Sequence, residues 1–544
     1  MMVESVRMLP SDAHPRRLAH DTGVPARAQA RGFPQWTVML LLAAAAIYLY
    51  LILFVFPHTP IYRDGDGDLY QASARRLFDG EVMYRDFSQF TFPGTEVVYA
   101  TLFKLFGPVP WVGNFALMGA GLMLSWLTLA ISRRLIRGWA MFVPALIFLT
   151  LLLPSMLDGT HHWYSVTAAM AALAVVLEDR TPGRLALAGM LCGLSAWFTH
   201  MRGFLAVAGI TVFLEWEWQQ RKVERRWLFS RLEYLWVSFL AAVVTLNAYF
   251  VWQAGLGRFV QSTIIFGLKY YPSEHDNSWG MYLEEFPKFS AWHNLWPFLA
   301  STFVHLLLPF AYLAFQIYYR RRAKVSPHQP WRGLMLLQAV GLCLFLGVAP
   351  AAEGQRMATV ALPATILFVW MLNSWEGVGR KLLAVFTVGA LTYAVAFPLH
   401  MQTRRWTYLD APAGRVAFSD TSRLEIFQWV LSHTHPGDFF FDNAGTQPFA
   451  FLAGLRSPGP TLFLTTSDYT RPEQVQQLIE GLEKHQVRYI LWEASFDVPS
   501  DSGVPGDHQG PLRRYLHTHY RVVKTFPGLI QVWERVDPST LLST

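Results

Sequence analysis

The chain has 544 residues, of which 53% are apolar and only 15% are charged, and its formal net charge is +7. A water-soluble protein of this length needs more charge to cover its surface, so the composition excludes an ordinary soluble enzyme. The positive charge does not indicate nucleic acid as a partner, because Lys and Arg gather between apolar stretches, as in the cytoplasmic loops of membrane proteins. Cys192 and Cys343 both lie in apolar runs and provide neither a disulfide framework nor a metal site.

Apolar segments recur about eleven times along the first 400 residues. They fall at 37–56, 113–131, 139–154, 163–177, 183–198, 203–218, 233–254, 294–318, 333–350, 357–373 and 382–399. No small-residue cleavage site follows the first segment, which is therefore predicted to be an uncleaved span. The expected fold class is an α-helical polytopic membrane protein with about 11 transmembrane helices and a small α/β domain at the C-terminus.

The loops between these segments alternate in charge. One set is basic and holds Arg133/Arg134/Arg137, Arg180/Arg184, Arg221 to Arg231, Arg320 to Lys324 and Arg380/Lys381. Basic loops stay in the cytoplasm, so the N-terminus is predicted inside and the C-terminus outside. The predicted domains are a basic cytoplasmic N-terminus at 1–36, a transmembrane catalytic domain at 37–400 with a large first periplasmic loop at 57–106, and a periplasmic domain at 401–544.

The C-terminal part alternates short apolar strands with amphipathic helices. Strands are predicted at 439–441, 487–492, 520–526 and 529–533, and helices at 472–485 and 512–517. This order indicates a small α/β domain. It contains no nucleophile paired with a base and no phosphate-binding loop, so we expect it to bind the acceptor or to act as a lid.

The first outer loop carries three alternating carboxylates, Asp64, Asp66 and Asp68. They repel one another unless a cation, a proton or a basic partner intervenes. A calcium EF-hand is excluded, because Leu69 occupies the required glycine position and Arg75 that of the bidentate glutamate. Three readings stay open: an Asp-x-Asp metal motif, a solvated acidic turn, and a catalytic carboxylate at the membrane surface.

The sequence from Arg63 to Gly107 resembles the first periplasmic loop of the GT-C membrane glycosyltransferases. The bacterial members that it resembles are the protein O-mannosyltransferases, the lipid A aminoarabinose transferase and the rhizobial lipopolysaccharide-core transferases. The matching elements are Asp66, Tyr70, the helix Ala72–Gly80, Tyr84, Asp86, Pro93-Gly94 and Phe103–Gly107. Trp163 and the sequence His200-Met-Arg202-Gly203 extend the likeness more loosely.

The resemblance implies transfer of a sugar from a polyprenyl phosphate to an acceptor. Asp66 would be the catalytic base, with Asp64 and Asp68 close enough that the assignment could shift by one repeat. Asp86 would be a second acidic group, which binds acceptor or metal or else orders the loop. Tyr70, Tyr84 and Arg85 of the same motif are predicted to bind substrate.

Basic residues at the outer face are candidates for the leaving phosphate, because a guanidinium can bind phosphate in a bidentate fork. These are Arg202, Arg356 and Lys269; alternatively each extends into the lipid headgroups, and Glu353 could pair with Arg356. His161, His162 and His200 are predicted to contact substrate. Two alternatives are open for His161 and His162: they bind a metal together with Asp66, or they cap the fourth span. Adjacent residues of a helix are less suited to share a metal than residues at positions i and i+4.

The sequence therefore predicts a glycosyltransferase of the bacterial inner membrane. Its predicted partners are a polyprenyl-phosphate sugar, membrane lipids and a periplasmic acceptor, which is a lipopolysaccharide, an envelope glycan or a protein. No cofactor is required, and a divalent metal is an option. The alternatives are a non-enzymatic transporter or flippase of lipid-linked glycans and a catalytically silent assembly partner. A transporter is expected to carry charged residues within its spans, whereas the acidic residues here crowd into a surface loop.

Overall fold

A computed structural model describes residues 35–63, 65–274, 277–419, 421–444, 448–497 and 506–536. Nearly all of the predicted N-terminal segment 1–36, together with Asp64, lies outside these residues. The chain divides into two units, Met1–Leu41 and Leu42–Thr544, and the candidate site lies wholly within the second.

Helices dominate the first 400 residues. In chain order they are α1 (Gln35–Leu53), α2 (Asp66–Phe78), α3 (Gly94–Phe106), α4 (Trp111–Leu135), α5 (Val143–Ile147), α6 (His161–Glu178), α7 (Pro182–Phe198), α8 (His200–Arg221), α9 (Arg225–Ala254), α10 (Leu256–Val260), α11 (Phe266–Lys269), α12 (Met281–Glu284), α13 (Leu295–Arg322), α14 (Trp331–Val348), α15 (Gly354–Val360), α16 (Leu362–Ser374) and α17 (Val378–Thr403). Each apolar segment of the sequence corresponds to one of these helices or to a broken helix.

Seven helical stretches among the described residues are long and apolar enough to cross a membrane. They are α1, α4, the stretch Gly138–Met156 around α5, α9, α13, α14 extended to Ala351, and α17. The number rises to eight if α15 and α16, which are bent by 66°, form one broken span. The chain is therefore a multi-pass membrane protein. The other apolar segments form α6, α7 and α8, which do not meet this test, so the expected count of about eleven spans is not confirmed.

Glycines let α7 pack closely on α9. A Cβ atom at Gly189 would lie 2.2 Å from the Leu235 carbonyl oxygen, and one at Gly193 would lie 2.6 Å from Ala242 Cβ. Small residues at such positions allow two helix backbones to approach each other within a bilayer. Helix α7 also packs on α6, and α8 packs on α14. The first residues of α6 and α8, which include His161 and His200, are positioned by this packing.

The first long loop, residues 57–106, folds into two helices and contributes to a short hairpin. Strands β1 (Phe54–Val55) and β2 (Thr59–Pro60) pair antiparallel, and α2 packs on α3. The Tyr62 N–H donates to the Ala417 carbonyl oxygen at 2.9 Å, which joins this loop to the C-terminal part of the chain.

The C-terminal part combines helices with two small sheets. Its elements are β3 (Thr407–Ala411), β4 (Gly414–Phe418), α18 (Thr421–His433), β5 (Phe441–Asn443), α19 (Pro448–Ala453), α20 (Pro472–Lys484), β6 (Tyr489–Glu493), α21 (Gly510–His519), β7 (Tyr520–Phe526) and β8 (Ile530–Arg535). The main sheet has the order β5-β6-β8-β7, in which β5 and β6 are parallel and the other pairs antiparallel. Its core contains Phe441, Leu478, Trp492, Leu512 and Trp533. The predicted small α/β domain is confirmed, and the β3–β4 hairpin is an addition to it.

Candidate functional site

The start of α2 is determined by Asp158, which lies just before α6. The Gly67 N–H donates to Asp158 Oδ2 at 2.9 Å. A Cβ atom at Gly67 would lie 1.9 Å from Asp158 Oδ1, and one at Gly65 would lie 2.5 Å from Asp158 Oδ2. The two glycines therefore let a carboxylate approach the helix N-terminus, where unpaired N–H groups and the helix dipole stabilise negative charge. This contact positions Asp66, the first residue of α2.

Asp66 faces a cavity of about 350 Å³, hereafter the site cavity. Five residues predicted from the sequence line it, namely Asp66, Tyr70, His161, His162 and Arg356. Its other walls come from the first loop, from the segment after α10 and from the C-terminal domain: Leu69, Ser73, Ser88, Gln89, Phe90, Ser262, Phe266, Tyr271, Glu274, Asn277, Thr461, Leu462, Phe463, Thr465, Tyr469, Thr470, Arg471 and Gln474. The structure thus brings together groups from distant parts of the chain.

The Asp66 side chain is exposed where it faces the site cavity, and protein surrounds it on its other sides. Burial raises the pKa of the Asp66 carboxyl above its ordinary value, and the positive charge of Arg356 partly opposes the rise. Tyr70 is buried beside it, with its ring 5.1 Å from that of His161. The arrangement provides a carboxylate that can exchange a proton with a group in the cavity.

His161 and His162 both reach the site cavity although they are adjacent in sequence. Their ring centroids lie 3.9 Å apart, and ligand atoms of Asp66, His161 and His162 all lie within 4.8 Å of one another. Side chains in the first turn of a helix lean toward its N-terminus, which explains how both rings line the cavity at this end of α6. The geometry is therefore compatible with a shared ligand although the two histidines are adjacent in sequence. The cap of α6 is Thr160, whose Oγ1 accepts from the His162 N–H at 3.3 Å.

Each of the two imidazole rings has a nitrogen atom that can still bind a ligand. Nδ1 of each is buried and forms no hydrogen bond with a described residue. A set of one carboxylate and two imidazoles suits a divalent transition metal, and it could equally donate or accept hydrogen bonds to a bound sugar or phosphate.

Arg356 is held in a defined orientation at the wall of the site cavity. Its Nε lies 3.1 Å from Glu353 Oε2, and its Nη1 donates to Asn277 Oδ1 at 3.0 Å. Arg356 therefore forms the predicted ion pair with Glu353 and also lines the site cavity.

Arg202 is buried behind the site cavity, with 2% of its surface exposed. Its Nη1 donates to the His162 carbonyl oxygen and its Nη2 to Thr359 Oγ1, both at 2.8 Å. Thr359 Oγ1 in turn donates to the Arg356 carbonyl oxygen at 2.6 Å. Arg202 forms no ion pair with any described residue, so its positive charge adds to that of Arg356 without a neutralising carboxylate.

Other predicted residues of the first loop lie away from the site cavity. Asp68 faces a separate cavity of about 30 Å³ together with Arg63 and Asp158. Tyr84, with φ +67°, is buried against Phe250 and Phe259.

Arg85 and Asp86 pair with each other at 2.8 Å. Asp86 Oδ2 also accepts from the Val82 N–H at 2.7 Å, which orders the loop.

Two predicted residues near the outer helix ends also lie outside the site cavity. Lys269 is exposed, with its Nζ 5.0 Å from the centre of the Tyr270 ring. His200 lies at the start of α8 beside Phe92, with the ring centroids 5.5 Å apart.

The sequence interpretation missed several residues that line the site cavity. Tyr271 and Asn277 lie between α11 and α12, in a segment that the sequence analysis did not single out. Tyr469 and Arg471 come from the C-terminal domain, and Ser467 Oγ of the same segment donates to Glu274 Oε2 at 2.7 Å. Sequence spacing gives no signal for residues so far apart in the chain.

The fold has counterparts among solved structures. It resembles ArnT from Cupriavidus metallidurans, solved bound to undecaprenyl phosphate, with a TM-score of 0.52 and 12% identity, over 93% of this chain and 98% of that chain. The chain therefore shares the fold of this structure, in agreement with the resemblance of its first loop. At this identity the likeness defines the fold alone.

A second structure is the Archaeoglobus fulgidus oligosaccharyltransferase tethered to an acceptor peptide. It has a TM-score of 0.49 and 12% identity and covers 93% of this chain and 74% of that chain. No protein-family model matches the sequence, and no curated protein matches it.

Proposed function

We propose that this protein is a membrane glycosyltransferase that moves a sugar from a polyprenyl-phosphate donor to an acceptor outside the cytoplasm. The observation that carries the proposal is the meeting of Asp66 and Arg356 at one cavity, beside two histidines. A carboxylate and a guanidinium are the two groups that this reaction needs, one for a proton and one for a phosphate. ArnT, whose fold this chain shares, was solved with undecaprenyl phosphate bound.

In the proposed reaction an acceptor hydroxyl oxygen attacks the anomeric carbon of the donor sugar. The bond between that carbon and the phosphate oxygen breaks, and its electron pair leaves with the polyprenyl phosphate. The hydroxyl proton passes to the Asp66 carboxylate. Arg356 binds the departing phosphate. Arg202 positions the backbone of His162 through a direct hydrogen bond, and it positions the backbone of Arg356 through Thr359.

Transfer of this kind has no inherent need for a metal ion, but the ligand set of Asp66, His161 and His162 fits one. A bound divalent cation would supply charge stabilisation at the leaving phosphate. We therefore propose these residues as an optional metal site. Metal analysis of the purified protein by mass spectrometry tests this directly. A stoichiometric divalent ion in the wild type that is lost in both His161→Ala and His162→Ala would support the metal site. Equal metal content in the wild type and the two variants would contradict it.

The proposed location is the bacterial inner membrane, with the N-terminus in the cytoplasm and the C-terminal domain in the periplasm. The basic loops support this orientation. The proposed acceptor is a lipopolysaccharide, another envelope glycan or a protein.

The decisive experiment compares Asp66→Asn with the wild type in detergent, using radiolabelled polyprenyl-phosphate sugars and an envelope extract. We expect labelling to fall about 10²- to 10⁴-fold, the usual contribution of a positioned base. Asp79→Asn is the matched control, because Asp79 lies on the same loop, outside the site cavity, and pairs with the partly exposed Arg75 at 2.9 Å. Labelling by Asp66→Asn at the wild-type rate would exclude Asp66 as the base. No labelling by any variant with any donor would favour the transporter or the catalytically silent assembly partner.

A further inference from the structure

A second and larger cavity lies directly beside the site cavity. Its volume is about 870 Å³, and we call it the outer groove. It is lined by the first loop between Glu81 and Ser88, by the segment from Gly257 to Ser262, and by the C-terminal domain, chiefly between Arg456 and Pro460 and between Arg471 and His485. A groove of this volume is within the range of ligand sites.

The two cavities share part of their walls. Ser88, Ser262, Arg471 and Gln474 line both of them. Ser88 is fixed by its N–H, which donates to the Pro460 carbonyl oxygen at 2.7 Å, and Gln474 Oε1 accepts from the Arg471 N–H at 3.0 Å. A molecule bound in the outer groove could therefore extend one hydroxyl group past these residues toward Asp66.

The outer groove is hydrophilic, and its charges are unequal. Arg76 and Arg85 are neutralised by Glu81 and Asp86, at 2.7 and 2.8 Å. Four further basic residues line the outer groove and form no ion pair with a described residue: Arg258, Arg456, Arg471 and Lys484. Glu473 and Glu480 are the carboxylates that remain on its described walls. Four positive against two negative groups leave an excess of two positive charges.

The positive charges of the outer groove act on a histidine in its wall. The pKa of His485, which also lines it, is lowered first by burial and then by the charges of Lys484 and Arg456. Uncharged polar side chains complete the lining, among them Gln261, Ser457 and Gln477. Amide and hydroxyl groups of this kind exchange hydrogen bonds with sugar hydroxyls, and guanidinium and ammonium groups bind phosphate or carboxylate.

We propose that the outer groove is the acceptor site and that the acceptor is an anionic carbohydrate bearing phosphate or carboxylate groups. The proposal rests on the proposed function, because it presumes that the site cavity holds the donor. It gives the C-terminal domain a direct part in selecting the substrate.

The test measures binding rather than transfer. The full-length protein in detergent is titrated with mannopentaose phosphate and with unphosphorylated mannopentaose of the same length, by microscale thermophoresis. We expect the wild type to prefer the phosphorylated sugar and to lose that preference as salt rises. Arg258→Glu combined with Lys484→Glu should weaken binding of the phosphorylated sugar at least about tenfold, because two groups that can bind phosphate are replaced by groups that repel it. Binding of the neutral sugar should change little.

The matched control reverses two exposed charges of the C-terminal domain outside the outer groove, as Arg514→Glu with Lys524→Glu. It should bind both sugars as the wild type does. Equal weakening in the control, or no preference for phosphate in the wild type, would overturn the proposal.

The Asp66→Asn variant separates this proposal from the proposed function. It should bind mannopentaose phosphate with wild-type affinity. If it does so while no chain transfers sugar, the proposed function fails and the binding site stands. If the wild type transfers sugar and the outer-groove variants keep both the binding and the wild-type KM for the acceptor, the outer groove is not the acceptor site.

Discussion

Arg356 shows how single side chains are oriented at the site cavity. Its guanidinium is held at Nε by Glu353 and at Nη1 by Asn277. Two such contacts fix the plane of the group, and a planar fork in a fixed orientation suits a phosphate better than a flexible ammonium does. Asn277 and Glu353 therefore act as positioning residues in the proposed reaction.

Replacing Arg356 by lysine should lower kcat/KM for the donor at least about tenfold, because a charged hydrogen bond contributes about 1.5–3 kcal/mol and the fork is lost. Steady-state kinetics with labelled donor measures this. Lys269→Arg is the converse substitution at an exposed residue outside the site cavity, and we expect it to keep kcat/KM within about twofold. Unchanged kinetics for Arg356→Lys would remove the phosphate role from this residue.

Glu96 is a buried carboxyl group that the sequence interpretation did not single out. It has no exposed surface, and Gln89 Nε2 donates to it at 2.8 Å. Burial raises the pKa of Glu96 to about 8, and the hydrogen bond from Gln89 opposes the rise. Because Gln89 lines the site cavity, Glu96 supports a cavity wall in its neutral, protonated form at neutral pH.

The stability of the protein should therefore fall as the pH rises from 4.5, the ordinary pKa of a glutamate, to about 8. The folded protein keeps the Glu96 proton in this window while the unfolded chain releases it, so the stabilisation is complete below 4.5 and lost as the pH passes about 8. The slope is at most about 1.4 kcal/mol per pH unit. Glu96→Gln should flatten the dependence of Tm on pH measured in detergent. The exposed Glu425→Gln should not, and the same slope in Glu96→Gln as in the wild type would refute the assignment.

The resemblance of the first loop, together with the charged and polar residues near predicted helix ends, was enough to predict five residues that meet at the site cavity. These are Asp66, Tyr70, His161, His162 and Arg356. The same reasoning could not exclude Tyr84 and Asp86. A motif in a loop specifies the spacing of residues but not their direction, and Tyr84 turns into an apolar cluster through its left-handed backbone.

At the scale of elements, the start of α2 depends on a carboxylate from another part of the chain. Asp158 occupies the space in which side chains at positions 65 and 67 would otherwise lie. The alternation of glycine with aspartate in the loop is thus explained by packing, while Asp66 itself faces the site cavity.

Gly67→Ala should shift the start of α2, since its Cβ would lie 1.9 Å from Asp158 Oδ1. We expect a loss of about 1–3 kcal/mol in stability, as for other overpacked sites, and a loss of transfer because Asp66 moves with the helix. Gly119→Ala in α4 is the control, because its Cβ would meet no atom within 4 Å. Thermal unfolding and transfer of both variants check this, and a fully active Gly67→Ala would contradict the role given to Asp158.

Most elements of the C-terminal domain could be predicted from alternating hydropathy, but the β3–β4 hairpin could not. Its strands are five residues long, and polar residues such as Asp410 and Arg415 are exposed on them. The stabilising contact comes from the first loop, where Ile61 bridges to Ala417. A strand held by such a distant partner leaves little local signal.

At the scale of the whole molecule, the C-terminal domain forms part of the site. It contributes Tyr469 and Arg471 to the site cavity. Hydrogen bonds attach it on two sides, from Ser467 to Glu274 and from Arg76 to the Gly459 carbonyl oxygen, at 2.7 and 3.0 Å. The sequence predicted a domain that binds the acceptor or acts as a lid, and the structure places part of this domain in the wall of the site cavity.

The predicted orientation can be checked with fusions. Alkaline phosphatase attached at the C-terminus should be active, because the enzyme needs disulfides that form outside the cytoplasm. The same enzyme inserted after Arg322, in the basic loop between α13 and α14, should be inactive. Green fluorescent protein fusions at both positions should give the reverse pattern. Phosphatase activity at the internal position alone would invert the predicted topology.

The number of membrane crossings could not be fixed from either hydropathy or helix length. Helices α6, α7 and α8 pack closely in the protein but fall short of an independent span. Helix α7 is only 17 residues long. The first turns of α6 and α8 carry His161 and Arg202, which lower hydropathy and which belong to the site or support it. The polar residues that serve the proposed chemistry thus weaken the signal used to recognise spans.

Arg202 lies next to Arg356 and forms no ion pair with a described residue. Its positive charge therefore affects how the product would leave in the proposed reaction. A sugar-linked polyprenyl phosphate is a diester with one negative charge, whereas the released carrier is a monoester with about −1.5 to −2. In the proposed reaction we therefore expect the site cavity to bind the spent carrier more tightly than the fresh donor. We expect product inhibition by the carrier, with its departure into the bilayer as the slow step of each cycle.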